Sequence, residues 1–463
     1  MILTLLVLSA CTPQGVEVGK APTVVEDSGD SAPPPVPLEL SAPSWRLHEE
    51  ITSIAYVSWT QNLDATVHVE YSFDPDVWET TPSFAAPTGT HEQILVGIPY
   101  DHNVTWRVVA ESGEVLDGEP LLTGELPGEL PVGDLVTYDP DRTLPEGRFL
   151  LTSINQENGG WTGGDYWTII LDRQARVVWA HLAPQNHWTL YAQVSVTGDH
   201  FLWDEANYWS DWGSEGERSE VHRTWLDEEI EVIATPGLHH AFVELPDGTL
   251  AWGSQAHGGG EALVEKAPGS DEEVIIWTCE DAGAGNRCES NCVYYDEGRN
   301  SYLYSFYTNS TLYEVDRATG RTLWWAGEHE DGYKFNPEEF QFSWQHGAVW
   351  TEAGTLLLSS EHGEGRDSET WALEYEVDHD NGSLNYIWGS SAGTEAETNG
   401  DTRRLTNGNT LHMVGSASVI REIDPDGEDV WVIDFHGSRL LGRGEFISDL
   451  YNLVKPREEA GAP

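Results

Sequence analysis

The feature that most constrains this chain is a phrase that recurs six times along it. Each copy is a short apolar strand followed by a second strand that runs into Asp, a turn and, in most copies, Trp. The first-strand copies are RFLLTS (Arg148–Ser153), HFLWDE (His200–Glu205), TLAWGS (Thr249–Ser254), SYLYSF (Ser301–Phe306), TLLLSS (Thr355–Ser360) and NTLHMVG (Asn409–Gly415). Closing strands end at Trp179, Trp324, Trp388 and Trp431, and Trp225–Val232 and the run ending at Trp277 fill the two gaps. Repeats of roughly 40–60 residues that read as antiparallel strands mean a β-propeller, one blade per repeat. Six copies predict six blades, with any active site where the blades converge on the central channel. The recurring Trp is expected to bury its ring between neighbouring blades, and the Asp followed by Pro, Arg or Gly suits a tight turn.

The rest of the chain divides by composition. Residues 1–11 form a short apolar run ending in Leu8-Ser9-Ala10-Cys11, which resembles a bacterial lipobox with Cys11 as the lipidated residue. Residues 12–37 are rich in Pro, Ser and acid, as a flexible tether should be. Residues 38–126 alternate apolar and polar in short runs (SIAYVSWT, ATVHVEYS, EQILVGI, NVTWRVVAES), a β-sandwich pattern of the fibronectin III or immunoglobulin-like kind. Trp59 and Trp106 are its expected core, and a spacer is its expected role. The expected all-β fold is therefore a six-bladed propeller over 134–440 preceded by a small sandwich, with 441–463 as a closing strand and helix or a tail. No stretch after the leader is apolar enough to cross a bilayer. Contact with membrane is expected only through the lipid anchor, in the cell envelope.

Charge narrows the partners. With 23 Lys and Arg against 79 Asp and Glu, the formal net charge is −56, which repels phosphate backbones and makes nucleic acid an unsuitable partner. An anionic substrate would need a local positive patch. The cysteines beyond Cys11 are Cys279, Cys288 and Cys292. In an oxidising compartment two of the three can pair, and the spacing does not say which.

The repeat also serves as a ruler for chemistry. The run from His239 and His240 to Gly248 aligns without a gap with the run from Gln345 and His346 to Gly354. His240 and His346 thus hold equivalent positions, and in the blades between and after them the place falls at Ser290-Asn291 and Asn399-Gly400. These positions start strands at one end of the propeller, so polar groups converge on one channel mouth, as at a ligand site. Against this, a lone strand His is more often a satisfied core residue than a catalyst. Only two histidines fall at equivalent positions, short of a three-ligand metal set, so no metal is expected.

The phrases HHAFVELPDGTL, NCVYYDEGRNSYLYSF, LYEVDRATGRTLWWAGE, WQHGAVW and RRLTNGNTL resemble the bacterial arylsulfate sulfotransferases, over roughly residues 130–436. The resemblance implies a six-bladed propeller outside the cytoplasm that moves a sulfuryl group from a phenolic sulfate ester to a phenol through a sulfohistidine. It implies His346 as nucleophile, His240 as acid then base beside His239, and Asn291 as a donor to a sulfuryl oxygen. The implied partners are a small aryl sulfate and a phenol, with no cofactor and no nucleotide sulfate donor. This chain departs from the family where Glu289 stands in place of a histidine and Tyr307 in place of an arginine. Both departures remove positive charge. His362, His257, Arg366, Arg403 and Arg404 are the expected compensators. The competing expectation is a non-catalytic, surface-anchored propeller that binds a ligand or protein partner, with Glu289 and Tyr307 as marks of lost chemistry.

Overall fold

A computed structural model describes residues 36–156, 164–185, 187–206, 219–257, 260–280, 283, 288–363, 368–437 and 439–457. Cys11 and Arg366 lie outside the described residues. The described chain is all-β apart from short 3-10 turns, and its sheets are those of a β-propeller.

Six antiparallel sheets follow one another along the chain. The second runs through Ala192–Val194, Phe201–Glu205, Glu220–Thr224 and Glu229–Ala234. The third runs through Leu238–Glu244, Leu250–Ser254, Ala262–Lys266 and Val274–Thr278. The fourth runs through Ser290–Asp296, Ser301–Phe306, Thr311–Asp316 and Thr322–Gly327. The fifth runs through Ser343–Trp350, Leu356–His362, Glu369–Asp378 and Ser383–Ser391, with Lys334–Asn336 added in parallel at its outer edge.

The first and sixth sheets draw strands from far along the sequence. Phe149–Asn155, Tyr166–Asp172 and Val177–Leu182 form most of the first sheet, and Glu445–Ile447 supplies its opening strand. Asp401–Arg404, Thr410–Val414, Val419–Ile423 and Asp429–Asp434 form the sixth, and Asp134–Tyr138 lies along its outer edge. The residues after Leu440 are therefore a closing strand rather than a tail, followed by a 3-10 turn, Leu450–Leu453, with Leu450 and Leu453 buried.

One expectation about the repeat needs correcting. The recurring phrase (TLLLSS and its relatives) marks the second strand of each sheet, because a strand precedes it in every ladder. The second strand is covered on both faces and edges, so every residue of Phe149–Asn155, Phe201–Glu205 and Ser301–Phe306 is buried. Such a strand lacks the strict apolar–polar alternation of a half-buried one, and its polar members, such as Ser153, Asp204 and Ser305, are buried too.

Of the closing Trp residues, Trp179, Trp277, Trp324 and Trp431 are buried as expected while Trp388 is only half-buried, and the mechanism is one the sequence does not display. In the fourth strand the register slips just ahead of Trp179, Trp277, Trp324, Trp388 and Trp431. A bulge turns the next side chain and bends the strand, which aims four of the indole N–H groups at a neighbouring sheet or loop, while that of Trp324 donates to Glu314 of its own sheet. The Trp179 N–H donates to the Leu226 carbonyl at 3.0 Å, Trp277 to Thr322 at 2.9 Å, Trp388 to the Pro425 carbonyl at 3.2 Å and Trp431 to the Arg173 carbonyl at 2.9 Å. Burying such a ring removes roughly 150–250 Å² from water, an upper value on the order of 4–6 kcal/mol. In the second sheet the slip falls ahead of Glu231, which pairs with Arg223 instead. Trp225 lies outside that strand.

Two further sheets lie in the N-terminal part. One joins Leu40–Leu47, Ala55–Gln61 and Gly89–Leu95, and the other is built on Ala65–Asp74 and Asn103–Ala110. Ala55–Gln61 alternates buried with half-buried residues along its whole length, and Trp59 and Trp106 are both buried. They do not stand apart as a separate domain, since residues 39–463 form one compact unit. Ile54, Ile94 and Val96 share a core with Phe149, Ile170 and Trp179 of the first sheet. The Ser53 hydroxyl donates to the Val178 carbonyl at 2.7 Å, and Arg176 pairs with Asp74 at 2.8 Å.

Candidate functional site

Backbone irregularity gathers where the repeat ruler placed the polar residues. In the third sheet the register slips between Leu238 and Phe242, and His240 within the slip sits at φ +62°. In the fourth, Asn291 is the unpaired residue between Ser290 and Cys292. In the fifth, slips flank His346 on both sides, between Ser343 and His346 and between His346 and Val349. Ladder hydrogen bonding cannot explain three first strands that break at matching positions. Bulges re-aim side chains, and they concentrate beside functional sites.

His346 has the most defined chemistry. Its Nδ1 lies 2.8 Å from the Trp344 carbonyl. A carbonyl only accepts, so Nδ1 carries the proton and Nε2 is left with its lone pair. Nε2 takes no hydrogen bond among the described residues. Burial pushes the His346 pKa down to about 4, against a smaller upward pull from the Trp344 carbonyl. The ring is therefore a neutral imidazole with a lone pair at all pH values above about 5. Close backbone approach keeps it in place. A Cβ at Gly347 would stand 2.5 Å from Asp401 Cα, and one at Gly400 would stand 2.8 Å from Ser359 Oγ and 3.5 Å from His346 Cβ.

An aromatic chain links His346 to His240. The rings of His240 and Tyr307 are 5.9 Å apart at 72°, and those of Tyr307 and Trp344 are 5.9 Å apart. Three successive sheets thus contribute neighbouring rings, ending at the residue whose carbonyl holds His346. Tyr307 donates its hydroxyl to Glu289 at 2.7 Å, and burial together with that carboxylate pushes the phenol pKa far up. Asn291 is buried, and its amide donates to the Gln345 carbonyl at 2.6 Å. Its Oδ1 has no hydrogen-bond partner among the described residues.

The remaining expected residues scatter. His362 stacks on Phe340 at 5.1 Å and meets Trp371 edge-on. His257 is exposed and faces Glu273 at 3.1 Å, and Arg404 is engaged by Glu374. None of these three is brought to the His240–Tyr307–Trp344 group. The side chain of His239 lies outside the described residues. Arg403 lies 3.5 Å from the buried Asp401 and donates to the Gly444 carbonyl at 3.1 Å.

Two residues escape the sequence reading. Arg443, on the closing strand's approach, is buried beside Asp401 at 3.7 Å, and its Nε and Nη1 find no hydrogen-bond partner among the described residues. It supplies buried positive charge that no repeat phrase announces. Glu261 is wholly buried between the third and fourth sheets, accepting from the Ser290 N–H at 2.9 Å and from the Tyr304 hydroxyl. Burial pushes its carboxyl up to about 7 against those hydrogen bonds. Its only sequence signal is an acid ahead of an apolar strand. Cys279 and Cys288 form a disulfide, and Cys292 is free and buried, with burial raising its thiol to about 11.

A cavity of about 680 Å³ opens elsewhere, between the N-terminal sheets and the first sheet, lined among others by Asp74, Arg148, Arg173 and Tyr451. None of the His240–His346 group lines it.

No family model and no curated sequence matches the chain. Among solved structures it is similar to a protein of unknown function from Bacteroides caccae, with 13% identity over 64% of this chain and 97% of that one, TM-score 0.43. A putative 6-phosphogluconolactonase from Bacteroides uniformis is similar with 11% identity over 83% and 99%, TM-score 0.40. A catalytically inactive virginiamycin B lyase from Staphylococcus aureus, with quinupristin, is similar with 8% identity over 63% and 95%, TM-score 0.38. The fold of this chain is read from its own sheets. The likeness to arylsulfate sulfotransferases rests on the quoted sequence phrases alone.

Proposed function

We propose that the six sheets are the blades of a six-bladed propeller and that the chain transfers a sulfuryl group from a phenolic sulfate ester to a phenol. The two N-terminal sheets are read as a sandwich-like platform on the first blade. The observation that carries the activity is the His346 ring, buried, neutral and held at Nδ1 by the Trp344 carbonyl, with Nε2 unengaged. In the first step the Nε2 lone pair attacks sulfur, the S–O(aryl) bond breaks, and the phenolate leaves with a proton from His240. The sulfoimidazole then carries its positive charge at Nδ1–H, against the Trp344 carbonyl. In the second step the acceptor phenol gives its proton to His240, its oxygen attacks sulfur, and the N–S bond breaks. A covalent intermediate divides one difficult transfer into two easier displacements, and the buried positive charge that this reading calls on is that of Arg443 and Arg403, both facing Asp401. The proposed setting is the cell envelope, with Cys11 as lipid anchor.

A second reading has its own observation. The Tyr307–Glu289 contact places a carboxylate and a bound phenol where a sulfate-binding cation would serve, which suits a propeller that binds a neutral or cationic ligand without turnover. The deciding experiment mixes a chromogenic aryl sulfate with phenol, comparing the protein with His346→Ala. Phenol-dependent release that is lost in the variant supports transfer. No release above background across several donors and acceptors supports the binding reading.

A further inference from the structure

A second cluster, on the second sheet, has a composition that the central site does not use. Glu205 ends the strand Phe201–Glu205, and Glu220 and His222 lie on Glu220–Thr224 directly across the ladder, where Glu205 pairs with Glu220. The pleat places Glu220 and His222 on one face because side chains repeat every second residue. His222 Nε2 stands 3.5 Å from a Glu205 oxygen and 3.5 Å from a Glu220 oxygen. One donor atom from each of the three lies within 4.8 Å of the others.

Those distances do not fit hydrogen bonds. An N–H···O bond closes to about 2.7–3.2 Å, and His222 Nε2 is buried with no hydrogen-bond partner among the described residues. They do fit ligands around an ion. Donors placed roughly 2.0–2.2 Å from a tetrahedral metal stand about 3.4 Å from one another.

The surroundings are those of a metal-ligating histidine. His222 Nδ1 lies 3.0 Å from the Glu229 carboxylate and donates to it, so Nε2 is the ring atom that faces the two acids and is free to exchange its proton for a cation. Ligating histidines generally give their other N–H to such a partner, which sets tautomer and ring orientation. Trp203 stacks on the ring at 5.2 Å and 2°, which fixes its plane. Glu205 is in turn held by His181 Nε2 at 3.0 Å. Glu205 and His222 are buried, while Glu220 is part exposed and opens the cluster to solvent.

We infer that Glu205, Glu220 and His222 form a binding site for a divalent transition cation of the zinc type, with Glu229 and His181 orienting the ligands. Three protein donors leave a fourth position for water. A mixed nitrogen and oxygen set this small suits zinc better than calcium, which takes about 6–8 oxygens. The site is independent of sulfuryl transfer, since none of its residues belongs to the His240–His346 group.

The test uses the full chain after chelator treatment and removal of the chelator. Zn²⁺ is titrated calorimetrically, bound metal is counted by mass spectrometry, and Ca²⁺ is titrated in parallel. The expected result is one tight Zn²⁺ per chain, Ca²⁺ at least a hundredfold weaker, and a rise in Tm with Zn²⁺. Glu220→Gln should weaken Zn²⁺ at least tenfold, and Glu229→Gln about tenfold through the lost orienting contact. His222→Gln should abolish the site; if it does not fold, the two glutamate variants decide. Binding that is unchanged in both variants, or equal for Zn²⁺ and Ca²⁺, would show only the attraction of a chain of charge −56 for cations and would overturn the inference.

Discussion

Replacing His346 by Gln should make the protein more resistant to acid. The wild-type ring is buried, and its pKa falls from 6.5 to about 4, first through burial. In the unfolded chain the same ring titrates at the ordinary value, so between these limits the unfolded state binds more protons and stability falls as pH is lowered. The penalty is absent above about pH 6.5, grows as pH drops, and is complete near pH 4. At about 1.4 kcal/mol per pH unit the full gap is about 3 kcal/mol, and at pH 5 about 2 kcal/mol is already present. Gln keeps an N–H that can reach the Trp344 carbonyl but has no proton to gain. Equilibrium urea denaturation of both proteins at pH 7.5 and pH 5.0 isolates the effect, because every other titrating group cancels in the difference. Relative to wild type, the variant should gain about 2 kcal/mol on going to pH 5.0, whatever its offset at pH 7.5. Parallel pH dependences would mean that His346 takes up a proton as easily folded as unfolded. The claim of a neutral, unengaged Nε2 would then fall as well.

Gly400→Ala should cost at least about 2 kcal/mol, since φ there is +148° and the added Cβ would meet Ser359 Oγ at 2.8 Å, with backbone strain alone worth about 1–3 kcal/mol. Thermal unfolding reads the loss, and an unchanged Tm would refute the close approach. Cys279→Ser with Cys288→Ser opens a bridge of sequence separation 9, worth about 2.5 kcal/mol in the chain-entropy account, and urea denaturation of the double variant measures it. In native protein Cys292 should resist alkylation, being buried with its thiol pushed up to about 11; labelling as fast as in urea would contradict that burial.

The parts of this fold that are legible in sequence are those set by packing. The second strands and, in five of the six described sheets, the bulged Trp strands face equivalent neighbours, so the same residues recur. First strands carry bulges and polar groups that differ from sheet to sheet, and TLLLSS therefore passes for the first strand when it is the second. Glu445–Ile447 is too short to carry a phrase at all. The equivalence of His240 and His346 is visible because both lie a fixed distance before a turn glycine. Arg443 is not visible, because its place is set by pairing with a strand almost three hundred residues earlier in the chain. The disulfide is equally beyond spacing, since Cys292 is fixed within the strand Ser290–Asp296 and only Cys288, ahead of that strand, reaches Cys279. The Glu205–Glu220–His222 cluster is hidden because its members come from separate strands that no motif joins.

The way the first and sixth sheets are completed has a consequence for how the chain becomes competent. Residues 134–138 wait on the sixth sheet, and the first sheet waits on residues 445–447. During synthesis the sixth sheet is complete only once residues 429–434 have emerged and the first only once residues 445–447 have, so neither forms in full from the N-terminal side. Arg443, with its buried guanidinium beside Asp401, arrives in that same final step. A chain interrupted before residue 440 would still contain both histidines of the proposed site. It would lack the buried Arg443 and the strand that completes the first sheet, so a truncated product is predicted to be inert even where its middle sheets have formed.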